Sequence, residues 1–163
     1  MVADGVIDGY AIAGAVAAIF YTEPTDTVDI DILVAFPKTD SLISLGPIVS
    51  YLAGLGYTDF ENEGIVIEGI PVQFLPTTNA LSEEAHREAR TENFDGVPTR
   101  IVQVEHLMAT MLELGRAKDY FRLALCLEEA DYDKALLSSI IERHGLSSQW
   151  LQWVENRQRG HRP

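Results

Sequence analysis

Apolar and acidic residues alternate in the segment at residues 27–34, which reads Thr-Val-Asp-Ile-Asp-Ile-Leu-Val. Successive side chains of a β-strand point to opposite faces, so this pattern predicts a strand with one apolar face and one acidic face. The acidic face carries Asp29 and Asp31, and we expect the two carboxylates to be held side by side. The apolar face, which we expect to be buried, carries Val28, Ile30, Ile32 and Val34.

The paired carboxylates indicate a binding site for a cation. Two ionised carboxylates about 6 Å apart repel each other by roughly 3 kcal/mol at the effective dielectric constant of a protein surface. A divalent cation offsets this repulsion, and Mg²⁺ typically takes one or two protein carboxylates and completes its shell with water and phosphate oxygens. The alternative is a solvated strand face that binds nothing, because an Asp-x-Asp pattern is short and this chain is rich in Asp.

A glycine corner precedes the acidic strand. Residues 10–13 predict a short strand, Gly14 interrupts it, and the small apolar residues at 15–21 predict a helix. A helix N-terminus presents free amides and a partial positive charge, which favour phosphate. The pattern therefore predicts an element for phosphate beside an element for its metal. The alternative role of Gly14 is to let a helix pack closely on a strand.

The rest of the pattern predicts a sheet followed by helices. Apolar spacing at residues 42–53 predicts a helix that Asp40 or Ser41 caps and that Pro47 delays or bends. The other predicted strands are residues 57–60, 65–67, 72–75 and 97–102. The other predicted helices are an exposed one at 80–90 and, from Gln103 onward, apolar stripes at 104–112 and 136–141 with helices at 119–130 and 147–156.

The glycine corner followed by the acidic strand resembles the signature of the nucleotidyltransferase superfamily, in which a Gly-Gly or Gly-Ser turn precedes an acid-x-acid strand. Three later segments are similar, in their order, to small nucleotidyltransferase-like proteins related to the toxin of abortive-infection toxin–antitoxin pairs. They are residues 69–76 (GIPVQFLP), 105–108 (EHLM) and 115–119 (GRAKD). The resemblance runs from about Tyr10 to about Leu127.

The resemblance implies an α/β fold of the α+β kind, with a small mixed sheet flanked by helices. The sheet domain would span residues 1–102, and a helical C-terminal part at 103–163 would pack on it as one compact unit. It also implies binding of Mg²⁺ and a nucleoside triphosphate, with transfer of a nucleotidyl group to an unknown acceptor, either protein or RNA. Asp29 and Asp31 are the implied catalytic and metal-binding residues, and the backbone amides of Gly14 and Ala15 would cradle phosphate.

Basic residues follow later in the chain. In the resembling family an Arg-x-Lys-Asp segment brings positive charge to the nucleotide from the side opposite the acidic strand, which implies nucleotide binding by Arg116 and Lys118. An earlier lysine of the family corresponds to Met111 here. The alternative is that Asp119 caps the next helix and Arg116 pairs with a nearby acid. Lys38 is either a phosphate contact or an exposed loop lysine.

Two further positions depart from the family pattern. Gln73 stands where a third carboxylate is expected, and an amide cannot supply its negative charge, which argues against two-metal catalysis. Glu68 replaces that acid only if its hairpin turns it inward; otherwise it is a solvent-facing turn residue. Ala15 stands where a Ser often offers a hydroxyl.

A second function therefore stays open: a catalytically inactive fold acting as a binding or regulatory partner in a toxin–antitoxin-like pair. A metal-free nucleotide or small-molecule binder is a third.

The composition limits the classes of partner and the location that we expect for this protein. The 163 residues include 25 acidic and 12 basic residues, a formal charge of −13, which argues against nonspecific DNA binding. Cys126 lies in an apolar run, so we expect its thiol to be in the core. His86 has no Cys or His at metal-ligand spacing, so we expect it to be a surface residue. The amino terminus has no basic region and no apolar run approaches about 18–20 residues, so we expect a cytoplasmic protein without membrane contact. A homo-oligomer and a cognate regulator are both open as partners.

Overall fold

The structure is a computed structural model that describes residues 1–37 and 43–160. Within these residues the chain forms seven strands and seven helices, and the last four helices follow the last strand. The strands are β1 (Gly9–Ile12), β2 (Ile30–Ala35), β3 (Phe60–Glu61), β4 (Gly64–Ile67), β5 (Ile70–Pro76), β6 (Arg90–Phe94) and β7 (Val97–Ile101). The helices are α1 (Gly14–Ala18), α2 (Gly46–Gly54), α3 (Ala80–Arg87), α4 (Val104–Leu114), α5 (Ala117–Glu129), α6 (Lys134–Arg143) and α7 (Ser147–Gly160).

All seven strands form one mixed sheet in the order β3-β4-β5-β2-β1-β7-β6. The strand β2 lies at its centre, antiparallel to β1 and parallel to β5. The register places Ile32 opposite Ile12 and Asp31 opposite Gln73. Register partners on neighbouring strands point to the same face of a sheet, so the side chains of Asp31 and Gln73 are neighbours.

Helices cover both faces of the sheet, and β2 contributes to the core on each. Val34 is fully buried in a cluster with Ile48 and Leu52 of α2. On the other face Leu33 joins a larger cluster that includes Met108 of α4 and Leu123 of α5. A strand with apolar contacts on both sides belongs to a layered α/β architecture. The predicted fold class is confirmed.

The predicted strand at residues 27–34 begins later than expected. The ladder starts at Ile30, and Val28 lies before it with 77% of its surface exposed. The prediction that Val28 is buried is therefore wrong, because this residue has no neighbouring strand to pair with. Asp29 also lies just outside the strand.

The predicted helix at residues 80–90 ends at Arg87, and the edge strand β6 that follows was not predicted. Its sequence, Arg-Thr-Glu-Asn-Phe, is polar and largely exposed, so no buried face marks it. Pairing with β7 through the turn at Asp95 and Gly96, both at positive φ, creates this strand.

Helix α2 begins at Gly46 with Pro47 in its first turn, which confirms the late start that the proline predicts. Its N-cap is Leu45, which makes no side-chain capping bond. Asp40 and Ser41, the predicted caps, and Lys38, the predicted phosphate contact or loop lysine, lie outside the described residues.

Helix α4 lies at the centre of the helical part and ends at Gly115, whose φ of 65° closes the helix in the left-handed conformation. Its residues share one core cluster with Ala11 and Ala17 from the sheet region and with Cys126, which is fully buried as predicted. The domain boundary at residue 102 stays a prediction. Among the described helices, none has both the length and the apolar character needed to cross a bilayer.

Candidate functional site

Asp31 and Gly14 touch. The Ala13 amide donates to the Asp31 carbonyl oxygen at 2.8 Å, which fixes the end of β1 against β2. The chain then turns at Gly14 with a φ of 57°. A Cβ atom at this position would lie 1.9 Å from Oδ2 of Asp31, so no residue but glycine fits beneath the carboxylate. The structure thus brings the glycine corner and one acid of the pair together.

Asp29 lies immediately before β2, and its side chain accepts a hydrogen bond from a nearby residue of the same loop. The Thr27 hydroxyl donates to Oδ1 of Asp29 at 2.9 Å and to its carbonyl oxygen at 3.2 Å. Burial raises the pKa of Asp31 above its ordinary value, and the negative charge of Asp29 raises it further. The charge of Asp29 therefore makes ionisation of Asp31 more costly.

Cations of α5 and of its N-cap act on Asp31. Lys118, Arg122 and Arg116, in that order, lower the pKa of Asp31 and so oppose the effect of burial. Lys118 and Arg122 are four residues apart on α5, so they lie on one face of the helix. Among the described residues neither forms an ion pair. Sequence reasoning missed Arg122, although its helical spacing from Lys118 was a usable signal.

Arg116 is largely engaged in capping α5. Its Nε donates to Oδ2 of Asp119 at 2.6 Å and its Nη2 to Oδ1 at 3.2 Å, and Asp119 is only 3% exposed. The Arg116 amide also donates to Oδ2. This hydrogen bonding raises the pKa of Arg116. The capping alternative for Arg116 and Asp119 matches this geometry, and Lys118 is the freer of the two predicted cations.

Ala15 is buried and presents a methyl group where the family often has a hydroxyl. Helix α1 has only five residues, and the amides of its first turn have no intrahelical acceptor. The amides of Gly14 and Ala15 are therefore the polar groups that this corner can offer.

Gln73 sits beside Asp31 as its register partner on β5, and its Nε2 donates to Oε2 of Glu63 at 2.6 Å. Glu68, the sequence-based substitute for a third acid, lies in the turn between β4 and β5 at a φ of 50°. Glu68 is exposed and accepts a hydrogen bond of 2.5 Å from the Tyr57 hydroxyl. It is thus the solvent-facing turn residue of the two alternatives.

Comparison with known proteins identifies the fold. No protein-family model matches the chain, and no curated protein matches its sequence. The crystal structure of an antigenic nucleotidyltransferase-like protein from Paracoccidioides brasiliensis is similar, with a TM-score of 0.51 at 16% identity. The match covers 86% of this chain and 83% of that chain. The chain has a nucleotidyltransferase-like fold.

Two structures of the antibiotic-resistance factor ANT(2'')-Ia are more distant. Its solution structure has a TM-score of 0.46 at 17% identity and covers 94% of this chain and 89% of that chain. Its crystal structure in complex with adenylyl-2''-tobramycin has a TM-score of 0.43 at 16% identity and covers 93% and 88%. The similarity to the Paracoccidioides brasiliensis protein confirms the nucleotidyltransferase-like fold that the resemblance implied. Membership of the superfamily and of the toxin-type subgroup stays a prediction.

Within the nucleotidyltransferase-like fold, the donor set for a metal is small. No group of three or more His, Cys, Asp or Glu side chains among the described residues is arranged to hold an ion. The donors at this corner are therefore the carboxylates of Asp29 and Asp31. Such a pair fits Mg²⁺, which keeps several waters and is completed by substrate phosphates.

His86 and the hollow beside it lie away from this corner. His86, predicted to be a surface residue, is half-buried: its Nε2 lies close to Gly9, and burial lowers its pKa. His86, Ala35 and Pro37 help to line a cavity of about 960 Å³. Ala35 lies about 13 Å along β2 from Asp31, so this cavity contains neither carboxylate.

Proposed function

We propose that this chain binds a magnesium nucleoside triphosphate and transfers its nucleotidyl group to an acceptor, either a protein or an RNA. Asp29 and Asp31 hold the cation. The amides of Gly14 and Ala15 contact phosphate, and Lys118 with Arg122 balances the charge of the leaving pyrophosphate. A cytoplasmic location, a homo-oligomer or cognate regulator as partner, and a toxin–antitoxin setting stay predictions.

The contact between Asp31 and Gly14 carries this proposal. The Asp31 carboxylate is half-buried against Gly14, where only glycine fits, and its neighbour Asp29 adds repulsion. Such an arrangement is typical of a site where a bound cation supplies the compensating charge. Lys118 and Arg122 of α5, which form no ion pair among the described residues, act on the same carboxylate and fit the negative charge of a polyphosphate.

The proposed reaction is a nucleotidyl transfer. The acceptor oxygen attacks the α-phosphorus, a new phosphorus–oxygen bond forms, the bond to the bridging oxygen of the β-phosphate breaks, and the acceptor proton leaves to solvent. When bound, Mg²⁺ polarises the phosphate oxygens. Lys118 and Arg122 stabilise the negative charge that develops on pyrophosphate, which is electrostatic stabilisation of the transition state.

Transfer is tested by incubating the protein with each α-³²P-labelled nucleoside triphosphate, Mg²⁺, and mixed protein and RNA acceptors. We expect label to become covalently attached to one acceptor class, and Asp31→Asn to abolish the labelling. The matched control is Asp59→Asn, which changes an exposed acid and should leave the labelling intact. Labelling that survives in Asp31→Asn would contradict the proposal.

A second function, a catalytically inactive binding or regulatory partner, is favoured by one observation. Gln73 occupies the position beside Asp31 where the family pattern expects a third acid. An inactive protein would bind the magnesium nucleotide, or nothing, and transfer no label to any acceptor. The labelling experiment therefore separates the two functions when it is paired with a direct measurement of nucleotide binding.

A further inference from the structure

Three polar side chains form a row across the sheet. Asp31 on β2 is the register partner of Gln73 on β5, and Gln73 donates to Glu63 in the turn between β3 and β4. The strand order places β5 between β4 and β2, so Glu63 approaches Gln73 from one side and Asp31 flanks it on the other. Gln73 is half-buried, whereas Glu63 is exposed.

The hydrogen bond to Glu63 fixes which way the Gln73 amide faces. A carboxylate only accepts hydrogen bonds, so the NH₂ group of Gln73 must point to Glu63. The carbonyl oxygen is on the other branch of the planar amide and is not engaged by Glu63, and Asp31 is the register neighbour of Gln73 on the β2 side. A charge-assisted bond of 2.6 Å is short and holds this orientation more firmly than a neutral one would.

We propose that the Gln73 carbonyl oxygen is a neutral third ligand of the cation held by Asp29 and Asp31, and that Glu63 is the positioning residue that keeps it turned toward that cation. The assignment rests on the proposed function. Carbonyl oxygens of amides are accepted ligands of Mg²⁺, Mn²⁺ and Ca²⁺. Outer-shell groups of this kind orient metal ligands, and their loss typically weakens metal affinity by about 10–100-fold.

This arrangement also explains why position 73 carries an amide and not a carboxylate. A carboxylate at position 73 would face Asp31 on one side and Glu63 on the other, with like charges at both ends. An amide donates to one acid and offers its oxygen beside the other. The acidic group next to Gln73 is thus Glu63, which lies on the side of β5 away from Asp31.

The test titrates the full chain with Mn²⁺ alone and follows free Mn²⁺ by electron paramagnetic resonance. Gln73→Met keeps the length of the side chain but removes the oxygen, and Glu63→Gln removes the acceptor that orients it. We expect each to weaken Mn²⁺ binding by about tenfold. Glu68→Gln is the matched control, because it removes the same charge from another exposed hairpin turn, and it should change the affinity by less than about twofold.

Exchanging the two groups gives a sharper readout. The double variant Glu63→Gln/Gln73→Glu keeps the net charge and places the carboxylate beside Asp31. We expect it to bind Mn²⁺ more tightly than the unchanged protein, because a carboxylate then replaces the neutral oxygen beside the cation. Weaker binding would contradict the placement of residue 73 at the cation. Melting curves of all variants verify that they are folded.

The outcomes separate the two proposals. Equal weakening in Glu63→Gln and Glu68→Gln, or unchanged affinity in Gln73→Met, would overturn this assignment while leaving the proposed function in place. If the unchanged protein fails to bind Mn²⁺ even at millimolar concentration, the proposed function fails and the assignment fails with it.

Discussion

At the scale of single residues, the site depends on Gly14. Its φ of 57° and the 1.9 Å that would separate a Cβ atom from Asp31 Oδ2 leave no room for another side chain. We expect Gly14→Ala to lower the free energy of unfolding by more than about 2 kcal/mol, since the left-handed conformation alone costs about 1–2 kcal/mol for alanine. Chemical denaturation measures this loss.

The matched control is Gly54→Ala at the end of α2, where a Cβ atom would meet nothing within 4 Å. There alanine should be neutral or stabilise by up to about 1 kcal/mol, because glycine is the more flexible residue in the unfolded chain. Equal stability of the two variants would show that the contact between Gly14 and Asp31 is not close.

Asp31 itself is expected to be unfavourable for stability. Its carboxylate is partly buried and faces Asp29, and both effects penalise its charge. We therefore expect Asp31→Asn, measured without ligand, to melt at the same temperature as the unchanged protein or higher. This is the behaviour of a group retained for function at a cost in stability. A clear drop in melting temperature would instead assign Asp31 a structural role.

At the scale of elements, helix α5 supplies the positive side of the site. We expect Lys118→Ala and Arg122→Ala each to weaken binding of magnesium nucleoside triphosphate by about tenfold, since a hydrogen bond to a charged group contributes about 1.5–3 kcal/mol. Isothermal titration calorimetry measures this change. Arg159→Ala removes an exposed cation on α7 and should leave affinity unchanged. An equal loss of affinity in Arg159→Ala would show that Lys118 and Arg122 act only through the net charge of the protein.

Glu84 joins three helical elements away from the site. It lies on α3, is 12% exposed, and accepts from Nε2 of His106 on α4 at 3.1 Å, from Nε2 of His144 at 2.7 Å and from Nε of Arg143 on α6 at 3.0 Å. The hydrogen bond from Arg143 is the largest effect and lowers the pKa of Glu84. Burial lowers the pKa of His106.

This cluster predicts a pH dependence. A lowered carboxylate pKa adds stability above the ordinary value of 4.5, which is lost as the pH falls through the folded pKa. The lowered pKa of His106 acts in the same direction, since protonation is disfavoured in the folded state below about pH 6.5. We expect stability to fall on acidification below pH 6.5 and more steeply below 4.5.

Glu84→Gln measures the contribution of Glu84 directly. At pH 7 it should lower the free energy of unfolding by about 2 kcal/mol, and the difference from the unchanged protein should shrink below pH 4. Glu88→Gln alters an exposed pair with Arg87 and should cost less than about 0.5 kcal/mol. Denaturation curves at both pH values compare the variants, and a pH-independent cost for Glu84→Gln would contradict this account.

Sequence patterns predicted the elements that carry a strong apolar period and missed those that tertiary pairing creates. The hairpin of β4 and β5 and the helices α4 to α7 follow from periodicity, whereas β6 exists because β7 pairs with it. At the site, the sequence indicated Asp31, Gly14 and Lys118. It could not indicate Glu63, because the contact with Gln73 depends on strand order that no local pattern encodes.

At the scale of the whole molecule, the charge distribution sets the partners. The chain has 12 basic residues against 25 acidic ones, a net charge of −13. Two of the basic residues, Lys118 and Arg122, act on Asp31 and lower its pKa. A field of this sign disfavours bare nucleic acid, whereas a cation between acid and phosphate allows local binding of a polyphosphate. The sheet between two apolar clusters provides the rigid support that such a site requires.

The central claim is that Asp31 holds a cation that a nucleotide shares, and thermal shift with ATP, GTP, CTP and UTP, each with and without Mg²⁺, tests it most directly. At about 100 times the dissociation constant a ligand stabilises by about 2.7 kcal/mol, which corresponds to roughly 5–10 °C for a chain of this size. We predict a shift of this order with at least one nucleotide, only with Mg²⁺, absent in Asp31→Asn and retained in Asp59→Asn. A shift that is independent of Mg²⁺, or that persists in Asp31→Asn, would contradict the claim.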